Sequence, residues 1–253
     1  MIHQDRFSRI TYLCSLIIRM HRRIVIGDIH GCLRTFRQLL EDKIHLSHDD
    51  ILYLLGDLID RGPDSKGVMD YVMSLSDQNY RVHTIRGNHE EMMLTADKGE
   101  RYMYNWIYNG AEATFNSFGI DMYSCLLSEL PAMIPTRYLD FARSTGYFAE
   151  LEDVLIVHAG FNFLIDDPFT DTNAMIWSRD MLYNRDKAGG RNIIHGHTPV
   201  SLEMIHAAVA DKNCNLINLD GGCVYTDFAE LGNLVGLDLD SRKLFIQQNI
   251  DMD

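Results

Sequence analysis

Cysteine is scarce and badly placed for cross-linking. The five thiols, Cys14, Cys32, Cys125, Cys214 and Cys223, are odd in number, scattered, and never spaced as C-x-x-C. That pattern excludes a disulfide framework and a thiolate zinc site, and points to a reducing compartment, the cytoplasm. Proline is equally rare at 5 residues, and no Pro/Gly-rich linker, low-complexity segment or internal repeat divides the chain. Positive charge is in deficit: Lys+Arg number 23 against Asp+Glu 36, a formal net charge of −13. So acidic a balance excludes broad electrostatic binding to nucleic acid or to an anionic membrane. A few arginines beside a bound metal can still make one pocket locally positive. Long apolar runs are missing too. The N-terminal run Leu13 to Ile18 falls far short of the ~20 residues that span a bilayer, and no small-residue cleavage site follows it. Residues 1–22 therefore read as an N-terminal extension, with Met20 as an alternative start. Residues 23–253 read as one domain.

What is present is an alternation of strand-like and helix-like segments. Arg23 to Gly27 reads as a buried strand, and Leu33 to Ile44 as a helix with Leu33, Phe36, Leu39 and Leu40 on one side. Ile51 to Leu55 is a second strand, Ser65 to Leu75 a second helix, and Val82 to Ile85 a third strand. This β-α-β-α-β opening implies parallel strands with helical crossovers. Residues 89–146 read as mostly helical and rich in aromatics, and the aromatic, Met-rich stretch 100–123 suits core and helix packing better than a substrate cage, with a roof over the site as the alternative for part of it. Strands return at Val154 to Val157, Ile193 to Ile194 and Leu216 to Leu219, and the end of the chain alternates as a hairpin. The order fits an α/β fold with two mixed β-sheets packed face to face and flanked by helices.

Each expected strand ends in polar residues. The first ends in GDIHG (Asp28, His30), the second in GDLIDRG (Asp57, Asp60, Arg61), and the third in RGNHE (Arg86, Asn88, His89). Later strands end in VHAG (His158) and HGHT (His197). Strand C-termini in α/β sheets form ligand crevices, so the five clusters can converge. Asp28 and His30, two apart on an extended segment, share a face and can grip one ion. Asp57 has two oxygens with which to bridge to a second ion, completed by Asn88, His158 and His197. Carboxylate, imidazole and carboxamide without thiolate suit two divalent ions such as Mn²⁺, Fe or Zn²⁺. Two such ions about 3.5–4 Å apart can share a hydroxide for in-line attack on phosphorus. His89 is then placed to protonate the leaving alkoxide, with Asp60 to orient it, while Arg61 and Arg86 clamp phosphate.

Taken in order, GDIHG, GDLIDRG, RGNHE, VHAG and GHT resemble the phosphoprotein phosphatase branch of the calcineurin-like metallophosphoesterases, nearest its compact bacterial and phage members. The resemblance covers residues 23–223. It implies Asp28, His30, Asp57, Asn88, His158 and His197 as metal ligands and His89 with Asp60 as the acid pair. It also implies Arg61 and Arg86 as phosphate binders, and the WSRD segment adds Arg179. One departure is Ala159 where relatives often carry a second glycine. IDRG and NHE lean toward a serine/threonine protein phosphatase acting on a phosphorylated protein or peptide. A dinucleoside polyphosphate hydrolase or nucleotidase, and a non-catalytic scaffold for phosphorylated partners, are the alternatives.

Blander readings bear on single residues. Asp60 and Arg61 also suit a surface turn with Gly62 and Pro63. Arg179 also suits a solvated helix charge, His195 a structural role, and Cys32 simple packing. Rival phosphate chemistries lack their motifs: no cysteine has an arginine six positions later, and no G-x-x-x-x-G-K-[ST] loop occurs. Asp238-Leu-Asp240 lies in the expected terminal hairpin and lacks the last residue of an aspartyl-nucleophile motif.

Overall fold

A computed structural model describes residues 21–252. Most of the expected extension, with the Leu13–Ile18 run and the alternative start at Met20, lies outside them. His21 and Arg22, at its end, lie inside: His21 meets the carbonyl of Asp49, and Arg22 makes two bonds to the buried Asp50.

Strands β1 (Arg23–Ile26), β2 (Ile51–Leu54) and β3 (Arg81–Thr84) pair in parallel. The terminal hairpin, β8 (Asn233–Asp238) and β9 (Lys243–Gln248), adds antiparallel to β1, giving the order β3-β2-β1-β8-β9. A second sheet holds β4 (Phe148–Glu150), β5 (Val154–Val157), β6 (Asn192–His195) and β7 (Leu216–Asn218), with β4 antiparallel and the rest parallel.

Side-chain alternation explains how the sheets stack. Val25, Tyr53, Val235 and Leu237 of the first sheet meet Val154, Ile156, Ile194 and Ile217 of the second in one buried layer. Ile24, Ile26, Leu52 and Leu54 point the other way, into a core shared with helices α1 (Leu33–Gln38), α2 (Ser65–Asp77) and α3 (Asn88–Thr95). Leu155, Val157 and Ile193 pack outward against Phe161, Phe163 and Met175. The two mixed sheets with flanking helices are thus the expected architecture.

Three features depart from the sequence reading. The first expected helix is α-helical only to Gln38 and widens to π-helix over Leu39–Ile44. Leu39 and Ile44, five apart, are both buried there, which a wider turn accommodates. The short edge strand β4 carries too few residues to show alternation. Helices α8 (Thr172–Trp177) and α9 (Leu202–Ala210) were not read from the sequence either. The helical reading of 89–146 holds: α3 is followed by α4 (Glu100–Tyr108), α5 (Ala111–Ser117), α6 (Leu130–Met133) and α7 (Thr136–Ser144). No helix among the described residues is long and apolar enough to cross a membrane.

Candidate metal centre

The loops after β1, β2, β3, β5 and β6 meet, and Asp57 stands at their centre. Two groups of ligand atoms, each within 4.8 Å of one another, form among the described residues: His30, Asp57 and His89, and Asp57, His158 and His197. Asp57 belongs to both. Its Oδ2 lies 3.6 Å from His30 Nε2, 3.5 Å from His158 Nε2 and 3.8 Å from His89 Nε2. The turn geometry that brings these groups inward is costly. His30, Asp57, Asp60, Arg61 and His197 have φ between 47° and 73°, a left-handed backbone that few non-glycine residues adopt.

The donor chemistry asks for cations. His30 Nδ1 donates to the carbonyl of Ile59, and His158 Nδ1 to that of Leu55, both at 2.9 Å. A carbonyl only accepts, so each Nε2 is an unprotonated acceptor facing the centre, that of His30 taken up by the Arg61 guanidinium at 2.7 Å. His158 Nε2 lies 3.0 Å from Asn88 Oδ1 and 3.2 Å from His197 Nδ1, itself 2.9 Å from that same oxygen. Asp28 Oδ2 accepts the backbone N–H of His197 at 3.0 Å, while its buried Oδ1 and the buried His197 Nε2 have no partner. Acceptors gathered with so few protons between them are the signature of a cation site. The residues therefore fit a divalent metal pair.

Electrostatics agrees. Burial, and then Arg61, hold His30 far below the ordinary histidine pKa; burial also lowers His158, and with His158 it takes His197 down to about 3. Neutral imidazole is the form that ligates. Burial, followed by the charges of Asp220 and Asp57, pushes Asp28 well up. Burial opposes charge on Asp57 as well, but the imidazoles of His158, His89 and His30 hold its carboxyl below the usual range.

The structure brings His89 and Asp60, expected as the acid pair, together. His89 Nδ1 lies 2.6 Å from Asp60 Oδ2, both residues fully buried, and His89 Nε2 is buried without a partner. Burial disfavours charge on His89, yet Asp57 and then Asp60 outweigh it and raise its pKa. The alternative of a surface turn at Asp60 is thereby overturned. Arg61 reaches in, its guanidinium 2.7 Å from His30 Nε2 and 5.7 Å from the Tyr225 ring centre. Arg179 is exposed but near enough to His197 to depress that histidine. Arg86 is engaged elsewhere: it bonds Glu91, the Tyr147 hydroxyl, Thr145 and the Arg143 carbonyl, and none of these is a ligand residue. His195 stays beside the centre, its Nδ1 3.2 Å from the Gly196 carbonyl, and Cys32 is a buried packing residue.

Four residues were missed. Glu90 and Asp220 are buried against the centre, each pushed up to about 7 by burial and by the charge of Asp57. Glu90 stands inside RGNHE, and an acid in the first turn of a helix is a capping signal that was there to be read. Trp106 and Thr114 both bond Asp60 from far along the chain, which no local motif reveals.

The chain is similar to known proteins. The profile of the calcineurin-like phosphoesterase family matches residues 21–230. Serine/threonine-protein phosphatase 1 of Salmonella typhimurium is 28% identical over 209 residues, covering 79% of this chain and 86% of that one. The asymmetrical bis(5'-nucleosyl)-tetraphosphatase PrpE of Anoxybacillus flavithermus is 28% identical over 229 residues, covering 79% and 85%. Among solved structures, a protein serine/threonine phosphatase from Saccharomyces cerevisiae superposes with a TM-score of 0.58 at 14% identity, over 90% of this chain and 79% of that one. A metallophosphoesterase from Sphaerobacter thermophilus gives 0.52 at 15% identity, over 90% and 87%. At such identities the likeness speaks for the fold alone.

Proposed function

The chain belongs to the calcineurin-like phosphoesterases, metal-dependent phosphoester hydrolases, and from that premise we propose that it is a serine/threonine protein phosphatase whose single catalytic unit is residues 23–253. In this reading Asp28, His30, Asp57, Asn88, His158 and His197 would hold the metal, Asp57 belonging to both groups of ligand atoms. Manganese is the proposed metal, with iron or zinc as alternatives, since the ligands are oxygen and imidazole. A bound pair would supply an acidified water as nucleophile and positive charge beside the phosphoryl oxygens.

The protein's own groups do the rest. Arg61, already facing the centre, takes hold of the phosphoryl oxygens, and Arg179 approaches from the His197 side. Arg86 joins them only by releasing Glu91 and Tyr147. His89 holds a proton at Nε2 and passes it to the departing oxygen, and Asp60 keeps the ring turned for that transfer.

The observation that favours a protein substrate is this buried, oriented pair. A serine or threonine alkoxide is a strong base and a poor leaving group, so its release gains most from a positioned acid. A nucleotide leaving from a phosphoanhydride is a weak base and gains little. Similarity to PrpE keeps the dinucleoside polyphosphate in view as the second reading. The free cysteines at 32, 125, 214 and 223 support a cytoplasmic setting.

Assaying the manganese-loaded protein on a phosphoserine peptide and on diadenosine tetraphosphate separates the two. Higher kcat/KM on the peptide is expected. Hydrolysis of the dinucleotide at roughly a hundredfold higher kcat/KM, a difference of about 2.7 kcal/mol in transition-state binding, transfers the assignment to the second reading. No hydrolysis of any phosphoester in the metal-loaded protein leaves only the binding scaffold.

A further inference from the structure

The carboxylate of Asp60 has more partners than one imidazole. Oδ2 accepts the His89 ring at 2.6 Å and also the indole N–H of Trp106 at 2.8 Å. Oδ1 accepts the Thr114 hydroxyl at 2.5 Å, and that hydroxyl oxygen accepts the backbone N–H of Asp60 at 3.0 Å. Ser65 closes the group, its hydroxyl 2.9 Å from both the Asp60 N–H and Thr114 Oγ1. Asp60, Trp106 and Thr114 are all wholly buried. Trp106 comes from α4 and Thr114 from α5, 46 and 54 residues from Asp60 and inside the helical stretch between the third and fourth motifs.

An indole N–H can only donate, so it demands an acceptor at Oδ2. With Thr114 on the second oxygen, the carboxylate can neither rotate nor present a proton to His89 at low cost. The imidazole bonded to it is fixed in turn, with Nε2 facing the centre. From this geometry we infer that Trp106 and Thr114 are positioning residues for the acid pair, and that the α4–α5 segment completes the catalytic machinery rather than merely packing beside it. The inference rests on His89 being the acid. In that step the P–O bond breaks, its electron pair stays on the leaving oxygen, and the Nε2 proton moves there. Imidazolium becomes imidazole, and Asp60 stays a carboxylate throughout.

Packing alone predicts a different result, because an enzyme loosened generally loses activity on every substrate. Trp106→Phe removes the indole donor and leaves a smaller ring, while Thr114→Val keeps the shape and removes a hydroxyl that donates to Oδ1 and accepts the Asp60 N–H. In the full-length, manganese-loaded protein, kcat is measured on phenyl phosphate and on p-nitrophenyl phosphate, whose more acidic phenol needs less protonation. Both variants are expected to lose roughly tenfold or more on phenyl phosphate, up to the about 10²–10⁴-fold that a general acid contributes, and clearly less on the nitro compound, with KM and bound manganese unchanged. Thr114→Ser keeps the hydroxyl and the parental ratio of the two rates. His89→Asn shows the same selectivity more strongly, and Trp106→Phe added to it brings no further selective loss. If Trp106→Phe does not fold, the Thr114→Val and Thr114→Ser pair carries the test. Equal losses on the two substrates, or none, while His89→Asn does discriminate, overturn the positioning role and leave the acid standing. A His89→Asn variant that does not discriminate removes the acid, and the positioning role with it.

Discussion

Glu90 accepts the backbone N–H of Asp57 at 2.9 Å, so the residue two beyond one candidate ligand holds the main chain of the shared one. The same oxygen takes the N–H of Gly87 at 2.9 Å, and its other oxygen takes that of Leu58 at 2.7 Å. Three donors leave no acceptor for a carboxyl proton, even though burial pushes the group up to about 7.

Glu90→Gln is therefore not conservative. An amide must turn its NH₂ toward one of those N–H groups, leaving at least one buried donor unpaired at a cost of about 1–3 kcal/mol. Loosened support at Asp57 should weaken metal binding about 10–100-fold, as loss of such outer contacts does elsewhere. Manganese titration by calorimetry, alongside thermal unfolding, checks both numbers. Unchanged affinity would mean that Asp57 is held well enough by its other neighbours.

Removing metal should cost stability as well as activity. The centre gathers Asp28, Asp57 and Asp220 in a buried space, where burial pushes Asp28 and Asp220 upward, helped by the charges of Asp220 and Asp57 on Asp28 and by that of Asp57 on Asp220. A cation relieves that crowding only in the folded state. Manganese at a hundred times its dissociation constant should then add about 2.7 kcal/mol per site to the unfolding free energy. Thermal melts with a chelator and with graded manganese test this. A melting temperature indifferent to the metal would contradict a site built from these residues.

Much of this was legible because parallel-sheet strands are short, apolar and buried on both faces, so Ile24–Ile26 and Leu52–Leu54 stand out, and each is followed at once by its polar cluster. What was not legible falls into two kinds. Backbone conformation is one: nothing in the letters of IDRG says that Asp60 and Arg61 turn left-handed, and that turn is what buries Asp60 beneath His89 instead of leaving it on a surface loop. Distant pairing is the other. Trp106 reads as one more aromatic in a helix, and only the fold brings its indole to Asp60. Arg86 shows the same limit in reverse, since its motif suggests a phosphate while the last turn of α7 and the connection to β4 supply carbonyls and a tyrosine that engage it.

Acid stability offers a test remote from the metal. Asp50 is buried and accepts two bonds from Arg22, at 2.9 and 2.7 Å, plus the N–H of Ser47 at 2.8 Å. Burial alone would raise its pKa, but Arg22 and then Ser47 outweigh it and hold the carboxyl below the ordinary value. A depressed carboxylate contributes stability that is fully present above the unfolded pKa, about 3.9, and fades as pH falls through the folded value. Asp50→Ala should thus cost about 1–3 kcal/mol at neutral pH, discounted toward the low end because Arg22 is partly exposed. Below about pH 4 the parent and variant unfolding curves should draw together as Asp50 takes up its proton. Denaturant melts from pH 7 down to 3 check the sign: a gap that widened with acid would mean that the carboxylate is destabilised in the fold, and that Arg22 does not govern it.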